Sequence, residues 1–355
     1  MKKLIALFAL LTFTTICFSQ KKLEWSVSAT PFFDNTEFGG SKKEVDQTMA
    51  GTRLAPEIGM SFDTVHRVHV GVALLQEFGS ANTIDSYHPI AYYEFNQAPF
   101  KFTMGAFPRD SAVGDYPRVF FQDSIGYYRP LINGLVWKIY NNNSHMKVWL
   151  DWTGRQSTTQ REEFFMGWAG KTQKGVVYLQ HFGYMMHYAK MKDAPDSQFI
   201  HDNGLMLTSI GLDFSKQTVF DKLSIDAGWL LGLERDRGTS NWLRHNDLLI
   251  EANIEYKCIG FSDTYFRGDG QMYFYPEENN KLYWGEPIYR NTEYNRIDGY
   301  IKFIETDNVK LKFVYTLHAA EHQIFHEQGL YASIYLNNYK KKSGKKQQYL
   351  WSKKK

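Results

Sequence analysis

Apolar and polar residues alternate with a period of two through most of the chain. Residues 54–62 place one apolar row on a single face, formed by Leu54, Pro56, Ile58, Met60 and Phe62. After a three-residue turn, the row is repeated by Val68, Val70, Val72 and Leu74. Because successive side chains leave opposite faces of a pleated strand, this period predicts β-strands with one apolar and one polar face.

The alternation and the turn residues between the runs predict sixteen strands. Their ranges are 23–33, 52–62, 66–78, 87–95, 100–108, 132–140, 145–153, 162–170, 174–188, 203–214, 220–234, 246–257, 259–267, 296–305, 309–318 and 328–338. Connections after even-numbered strands are short. Those after odd-numbered strands are longer, the largest being 109–131 and 268–295. Short periplasmic turns opposite long external loops are typical of an antiparallel up-and-down transmembrane β-barrel.

The first residues have the features of a secretory leader. Lys2 and Lys3 precede an apolar stretch that ends at Ile16, and cleavage after Ser19 fits the small-residue rule. A lipidated Cys17 is the alternative, and an uncleaved anchor is disfavoured because the stretch is shorter than the ~20 residues a span needs. We therefore predict a signal peptide over 1–19, a barrel over 20–339 and a Lys-rich periplasmic tail over 340–355.

Charge divides unevenly between the barrel and the two ends of the chain. Of the 41 Lys and Arg, two lie in the leader and eight in the tail, which leaves 31 basic against 38 acidic groups. Nucleic-acid binding needs a basic face on a folded domain, and none is predicted here. The tail is expected to be a solvated extension, with peptidoglycan, anionic lipid or an envelope protein as alternative partners.

The polar face of the strands carries the charge, which predicts a wet lumen and a lipid-facing exterior. The predicted lumen-facing charges are Arg53, Glu57, Arg67, Lys101, Lys138, Lys147, Asp151, Glu163, Asp226, Glu234, Glu251, Glu255 and Lys302. Aromatic residues at the ends of runs predict interfacial girdles: Trp25, Phe62, Phe78, Phe95, Phe107, Trp152 and Phe214. A soluble β-sandwich or solenoid is the alternative, although sixteen strands exceed an ordinary sandwich.

This arrangement of strands and loops resembles the sixteen-stranded porins of Gram-negative bacteria, and the aromatic-rich strands also resemble outer-membrane proteins of Bacteroidetes. The porin resemblance implies that the third long external loop folds into the lumen and narrows it. In this chain that loop is 109–131, and its candidate constriction residues are Arg109, Asp110, Asp115, Arg118, Asp123 and Arg129. Opposed rows of charge create a transverse field that selects polar solutes. An external cap packed on its own aromatic residues is the alternative.

Aromatic side chains in the two longest loops are candidate contacts for the apolar faces of sugar rings. They are Tyr116, Phe120, Phe121, Tyr127 and Tyr128 in the first loop, with Tyr283 and Trp284 in the second. The blander alternative for residues 268–295 is a lid packed on itself. A structureless loop of that length is normally functional or disordered, and its aromatic content argues against disorder.

Catalytic motifs are not found in the sequence. It has no GxSxG, no HExxH, no Gly-rich phosphate loop and no paired cysteines for a metal. We therefore predict that the protein is not an enzyme, needs no cofactor and binds no metal. Its eleven histidines are expected to be solvated, and an enzyme at the barrel rim is kept as a third hypothesis.

The sequence therefore predicts an outer-membrane channel for passive diffusion of small polar solutes, oligosaccharides among them. The alternative is a closed structural or binding barrel that acts as one subunit of an envelope complex. Expected partners are outer-membrane lipid and small polar solutes, with a homo-oligomer or an envelope protein as further partners and no nucleic acid.

Overall fold

The computed structural model describes residues 21–239, 241–339 and 348–350. It is a closed antiparallel barrel of sixteen strands in which each strand pairs with its neighbour in sequence and β1 closes the ring against β16. The predicted all-β, up-and-down barrel and its strand count are confirmed. None of the described helices is long and apolar enough to cross a membrane.

The strands follow the predicted order, and several are longer than predicted. Their bounds are β1 Lys22–Glu37, β2 Gln47–Ser61, β3 His66–Glu77, β4 Ser86–Gln97, β5 Phe100–Pro108, β6 Leu131–Tyr140, β7 Ser144–Gly154, β8 Glu163–Lys174, β9 Val177–Tyr188, β10 His201–Asp213, β11 Lys222–Asp236, β12 Leu243–Tyr256, β13 Ile259–Gly268, β14 Glu293–Glu305, β15 Val309–Ala320 and β16 Gln323–Asn337. The residues that extend the strands beyond the predicted ranges lie mostly at the external ends. Polar side chains occur on both faces there and interrupt the alternation.

Two faces of the barrel differ as the alternation predicted. Outward apolar side chains such as Leu23 and Ile58 are more than half exposed, whereas inward groups such as Glu57 and Asp151 are buried. An apolar exterior on a barrel closed by its own hydrogen bonds is the β-structure that lipid tolerates, because every backbone polar group is satisfied inside the protein. The predicted outer-membrane location is thereby confirmed.

Two details of the sequence prediction are wrong. The connection between β15 and β16 was expected to be long, but it is the two-residue turn Glu321-His322, in which both residues have positive φ. Phe107 was assigned to an interfacial girdle, but it is 1% exposed and belongs to the internal core. Its position in β5 turns its side chain toward the lumen. The location of a residue at the end of an apolar run does not reveal which face of the strand it occupies.

Two external loops fill the external half of the lumen. We call residues 109–130, between β5 and β6, loop L3, and residues 269–292, between β13 and β14, loop L7. L3 contains the short helices α1 Asp110–Val113 and α2 Asp123–Tyr128. L7 contains α3 Tyr275–Glu278 and the 3-10 turns Asn279–Lys281 and Pro287–Arg290. The main hydrophobic core is formed by these loops and the inner wall.

The two ends of the chain are described only in part. The predicted signal peptide, 1–19, lies outside the described residues. Of the predicted tail, only residues 348–350 are described, and Gln348–Tyr349 forms a short strand, β17, that pairs with the periplasmic end of β14.

Candidate functional site

L3 and L7 are joined by backbone hydrogen bonds inside the barrel. The amide of Gln122 donates to the carbonyl of Trp284 at 2.7 Å, and the amide of Glu286 donates to the carbonyl of Arg118 at 3.0 Å. Between them lies Gly285, where an added Cβ would come within 2.0 Å of the Val119 carbonyl oxygen. Only glycine permits so close an approach of the two backbones.

Aromatic packing holds the joined loops against the inner wall. Trp284 is 1% exposed, and its ring lies 4.7 Å from that of Phe165 on β8. The guanidinium carbons of Arg109 and Arg129 lie 5.0 and 4.5 Å from the ring of Trp284. Cation–π contacts of this kind are worth more when they are removed from water. The loops therefore form a dry plug with two arginines stacked on one indole.

Polar contacts fix the first part of L3 to strands β6 to β9. Arg109 forms a buried ion pair with Asp151 at 2.6 Å, and Lys147 pairs with Asp115. The hydroxyl of Tyr116 donates to the Trp168 carbonyl at 2.7 Å. Because a buried charge is costly unless it is paired, these contacts specify where the loop enters the lumen.

The structure brings the predicted L3 residues together inside the lumen but gives them different environments. Arg109 is buried, Asp115 and Asp123 are paired with cations, and Asp110 lies in the first turn of α1. Of the predicted aromatic contacts, five are buried in the plug: Tyr116, Phe120, Phe121, Tyr283 and Trp284. Tyr127 and Tyr128 donate their hydroxyls to Asp34 and Glu77. Roles in constriction and solute contact stay predictions.

An acidic cavity of about 60 Å³ lies between the inner wall, α2 and L7. We call it the acidic chamber. It is large enough for a few water molecules and too small for a sugar ring. Its lining residues come from β1, β2, β15, β16 and three external loops: Asp34, Thr36, Phe38, Glu44, Gln47, Met49, Gln122, Asp123, Ser124, Glu286, Ile288, His318 and Glu327.

Two guanidinium groups neutralise part of the acid around this chamber. Arg296 is 1% exposed, and its Nη1 lies 3.0 Å from Glu286 and 3.2 Å from Glu327. Nε of Arg118 lies 3.0 Å from Asp123 and 3.5 Å from Glu286. Both arginines therefore converge on Glu286, one from the barrel wall and one from L3.

Two carboxylate oxygens that line the chamber are buried without a hydrogen-bond partner among the described residues, Oδ1 of Asp34 and Oε2 of Glu286. Burial raises the pKa of Glu286 to about 8 despite the two guanidinium groups, and burial raises the pKa of Glu44 in the first external loop to about 7. A carboxyl group whose pKa lies near neutrality can exchange a proton under working conditions.

His318 is the functional candidate that sequence reasoning missed. The hydroxyl of Tyr294 lies 2.7 Å from its Nδ1, and Glu327 lies 3.0 Å from its Nε2. The prediction of a solvated histidine is wrong for His318, which is fully buried in β15. His318 lies two residues after Thr316 in β15 and therefore on the same inward face. This spacing was the sequence signal that could have predicted its burial. Among the described residues, no group of three or more His, Cys, Asp or Glu has the geometry to hold a metal ion.

A second, wetter region lies at the periplasmic mouth. Arg67 pairs with Glu24 at 3.3 Å and Glu94 at 3.2 Å, and Lys101 also pairs with Glu94, at 2.8 Å. A polar cavity of about 520 Å³ extends from Lys101 to the turn at 141–143. The lumen is therefore divided into a plugged external part and a charged periplasmic vestibule.

These features define an outer-membrane β-barrel, and solved structures of that class share the fold. OmpT of Vibrio cholerae in its trimer form has a TM-score of 0.52 at 9% identity, covering 90% of this chain and 100% of its own. A Rhodopseudomonas blastica porin variant gives 0.51 at 10% identity, with 89% and 100% covered. OccK11 of Pseudomonas aeruginosa gives 0.51 at 9% identity, with 89% and 96% covered. At such low identity the likeness concerns the fold alone.

The chain belongs to the lipid A 3'-O-deacylase-type family, whose model matches residues 17–343. No curated protein matches the sequence significantly. The family is named for an enzymatic reaction, so the prediction that this protein is not an enzyme is wrong. No linear motif marks the titratable groups of the acidic chamber, because they lie on strands and loops far apart in sequence.

Proposed function

We propose that the protein hydrolyses an acyl ester of a lipid A-type glycolipid and that the acidic chamber holds the reacting groups. The observation that carries the proposal is the environment of Glu286. This carboxyl group has a pKa of about 8 raised by burial, an oxygen without a hydrogen-bond partner among the described residues, and two guanidinium groups within 3.5 Å. Family membership supplies the substrate class.

In the proposed reaction, Glu286 takes a proton from a water molecule whose oxygen attacks the ester carbonyl carbon. Arg118 and Arg296 stabilise the negative charge that develops on the carbonyl oxygen, because fixed charges in a water-poor site act strongly on a transition state. Collapse of the tetrahedral intermediate breaks the bond between the acyl carbon and the sugar oxygen. The proton held by Glu286 passes to that oxygen, which yields a fatty acid and a glycolipid hydroxyl.

Access of the ester requires a loop to move, because the chamber volume of about 60 Å³ admits water but not the substrate. The first external loop, residues 38–46, is the best placed to do so, since Phe38 and Glu44 line the chamber on its side. Its polar contacts are concentrated at two side chains. Glu321 accepts from the Ser41 hydroxyl and the Lys42 amide, both at 2.9 Å, and Arg290 donates to the Lys43 carbonyl. We therefore place the ester entrance at this loop.

The test is mass spectrometry of lipid A incubated with the full-length mature protein in detergent. Glu286→Gln keeps the shape of the side chain but removes the base, so release of fatty acid should fall about 100-fold or more. Glu277→Gln, in the same loop, is the matched control and should retain wild-type activity. Full activity in Glu286→Gln would disprove the assignment of the base, and no fatty acid release by the wild-type protein would disprove the proposed reaction.

A second candidate is the predicted channel for small polar solutes, which the charged periplasmic vestibule favours. In that role the vestibule would concentrate polar solutes, and conduction would require the joined loops to leave the lumen. Single-channel recording in a planar bilayer tests it. Steady current steps that change when Arg118 and Arg129 are replaced would support a pore lined by L3, and a silent bilayer with correctly inserted protein would eliminate the channel.

A further inference from the structure

The outer surface of the barrel carries a row of polar and aromatic side chains near the external ends of β7 to β12. Its polar members lie at β9 to β11, where they interrupt the apolar exterior. In its centre, Asp202 is 5% exposed although its position in β10 has outward parity. It is covered by Arg235 and Arg237, each with a guanidinium nitrogen 2.8 Å from its carboxylate, and by His187 at 3.8 Å. Two permanent positive charges therefore surround one negative charge.

Aromatic side chains bound this polar group on both sides. The ring of Phe164 lies 5.0 Å from that of His187, and the ring of Trp152 lies 5.2 Å from that of Phe164. On the other side, the guanidinium carbon of Arg235 lies 4.4 Å from the ring of Trp242. Amphipathic rings at this level are typical of the boundary between hydrocarbon and headgroups.

Below the row, the outer face is mostly apolar for the depth of a leaflet, and the hydrogen-bonded pair His181 and Thr208 beside Trp229 interrupts it. Met185, Ile210 and Trp229 are about half or more exposed on β9, β10 and β11. Trp229 precedes Arg235 by six residues on one strand, which at ~3.3 Å per residue and ~40° of tilt is roughly 15 Å of depth, or half the hydrocarbon thickness. A molecule held by the arginines would therefore lay its acyl chains along this surface.

We propose that this row, formed by His187, Asp202, Arg235, Arg237 and the rings of Trp152, Phe164 and Trp242, binds the phosphorylated sugar headgroup of an outer-leaflet glycolipid. Asp202 holds the two guanidinium groups side by side while they stay partly exposed, with side-chain exposures of 29% and 45%. Paired guanidinium forks match the oxygens of a phosphate, and flanking rings stack on sugar. The site is independent of the acidic chamber and of the proposed hydrolysis.

The test is native mass spectrometry of the mature protein in nanodiscs titrated with bis-phosphorylated lipid A. The double variant Arg235→Ala/Arg237→Ala should bind lipid A about tenfold more weakly, while Arg235→Lys/Arg237→Lys should keep part of the affinity. Arg267→Ala is the matched control, since Arg267 is an exposed outward arginine at the external end of β13, and it should bind as the wild type does. Correct insertion of each variant is verified by heat-modifiable gel mobility.

Three further measurements identify the source of the phosphate. Dephosphorylated lipid A should bind as weakly to the wild type as intact lipid A binds to the double alanine variant. Displacement of lipid A by millimolar inorganic phosphate would overturn the proposal in favour of a free anion. Equal binding of phosphatidylglycerol, or unchanged lipid A binding by a correctly inserted double alanine variant, would also overturn it.

Trp242→Ala, which keeps all the charges, should weaken binding severalfold.

Discussion

Gln122 and Trp284 are hydrogen-bonded backbone to backbone over 2.7 Å although they belong to loops that leave opposite sides of the barrel. This bond and its neighbour, between Glu286 and Arg118, place the carboxyl group of Glu286 between two arginines. The proposed reaction centre therefore depends on how closely L3 and L7 approach each other.

Replacing Gly285 with valine should push the two loops apart, because even a single added Cβ would lie 2.0 Å from the Val119 carbonyl oxygen. Overpacking of this kind typically costs about 1–3 kcal/mol. Urea unfolding in detergent, followed by tryptophan fluorescence, measures the loss. Gly126→Ala in α2 is the control, since nothing lies within 4 Å of its added Cβ. Equal stability of both variants would show that the loops do not pack as described.

Trp284→Ala should be among the most destabilising single substitutions in the plug. It removes a fully buried ring and leaves Arg109 and Arg129 without their stacking partner. Loss of a buried tryptophan costs about 3–5 kcal/mol in the free energy of unfolding. Trp137→Ala removes a half-exposed, lipid-facing indole and should cost much less in the same urea titration. Similar losses in the two variants would contradict a packed plug.

Arg296→Met should leave Glu286, Asp298 and Glu327 without the guanidinium that now lies within 3.2 Å of each. Removing one member of a buried ionic group costs about 3–5 kcal/mol, because the remaining charges stay buried and unpaired. Adding Glu327→Gln to this variant should restore part of the stability. A double-mutant cycle by urea unfolding tests the coupling, and strictly additive losses would argue against a shared network.

Stability should fall as the pH rises from about 5 to 8. In the folded protein burial raises the pKa of Glu286 to about 8 and that of Glu44 to about 7, from a usual value of 4.5. Between these limits the unfolded chain has released protons that the folded chain retains, so each retained proton lowers the unfolding free energy by about 1.4 kcal/mol per pH unit. Glu286→Gln should flatten this dependence in unfolding titrations at pH 5, 7 and 9, whereas Glu277→Gln should not.

The barrel was predictable from sequence because a strand facing lipid on one side and the lumen on the other must alternate. Apolar rows such as the one that contains Ile58 carry this signal. The alternation weakens where strands extend beyond the membrane, so β1, β2 and β16 were predicted to be too short at their external ends. The turn at Glu321-His322 was missed for the same reason, since no apolar row marks the strand ends that flank it.

The candidate site was predictable only in part. The aromatic residues and charges of L3 were predictable as a group because they lie in one continuous segment, and the structure places them inside the lumen. The chamber was not predictable, because Asp34, Glu286 and His318 lie on separate elements and none belongs to a linear motif. Which carboxyl group keeps its proton is set by burial, and burial depends on the complete fold.

L3 and L7 leave opposite sides of the barrel and meet inside it, and this arrangement has a mechanical consequence. L3 leaves the ring between β5 and β6, and L7 leaves it between β13 and β14, eight strands further round a circle of sixteen. Their backbone bonds therefore act as a crossbar between opposite walls. Pulling those walls apart requires breaking the Gln122–Trp284 and Glu286–Arg118 bonds, so the crossbar resists widening of the cylinder along that line as lateral pressure in the membrane changes.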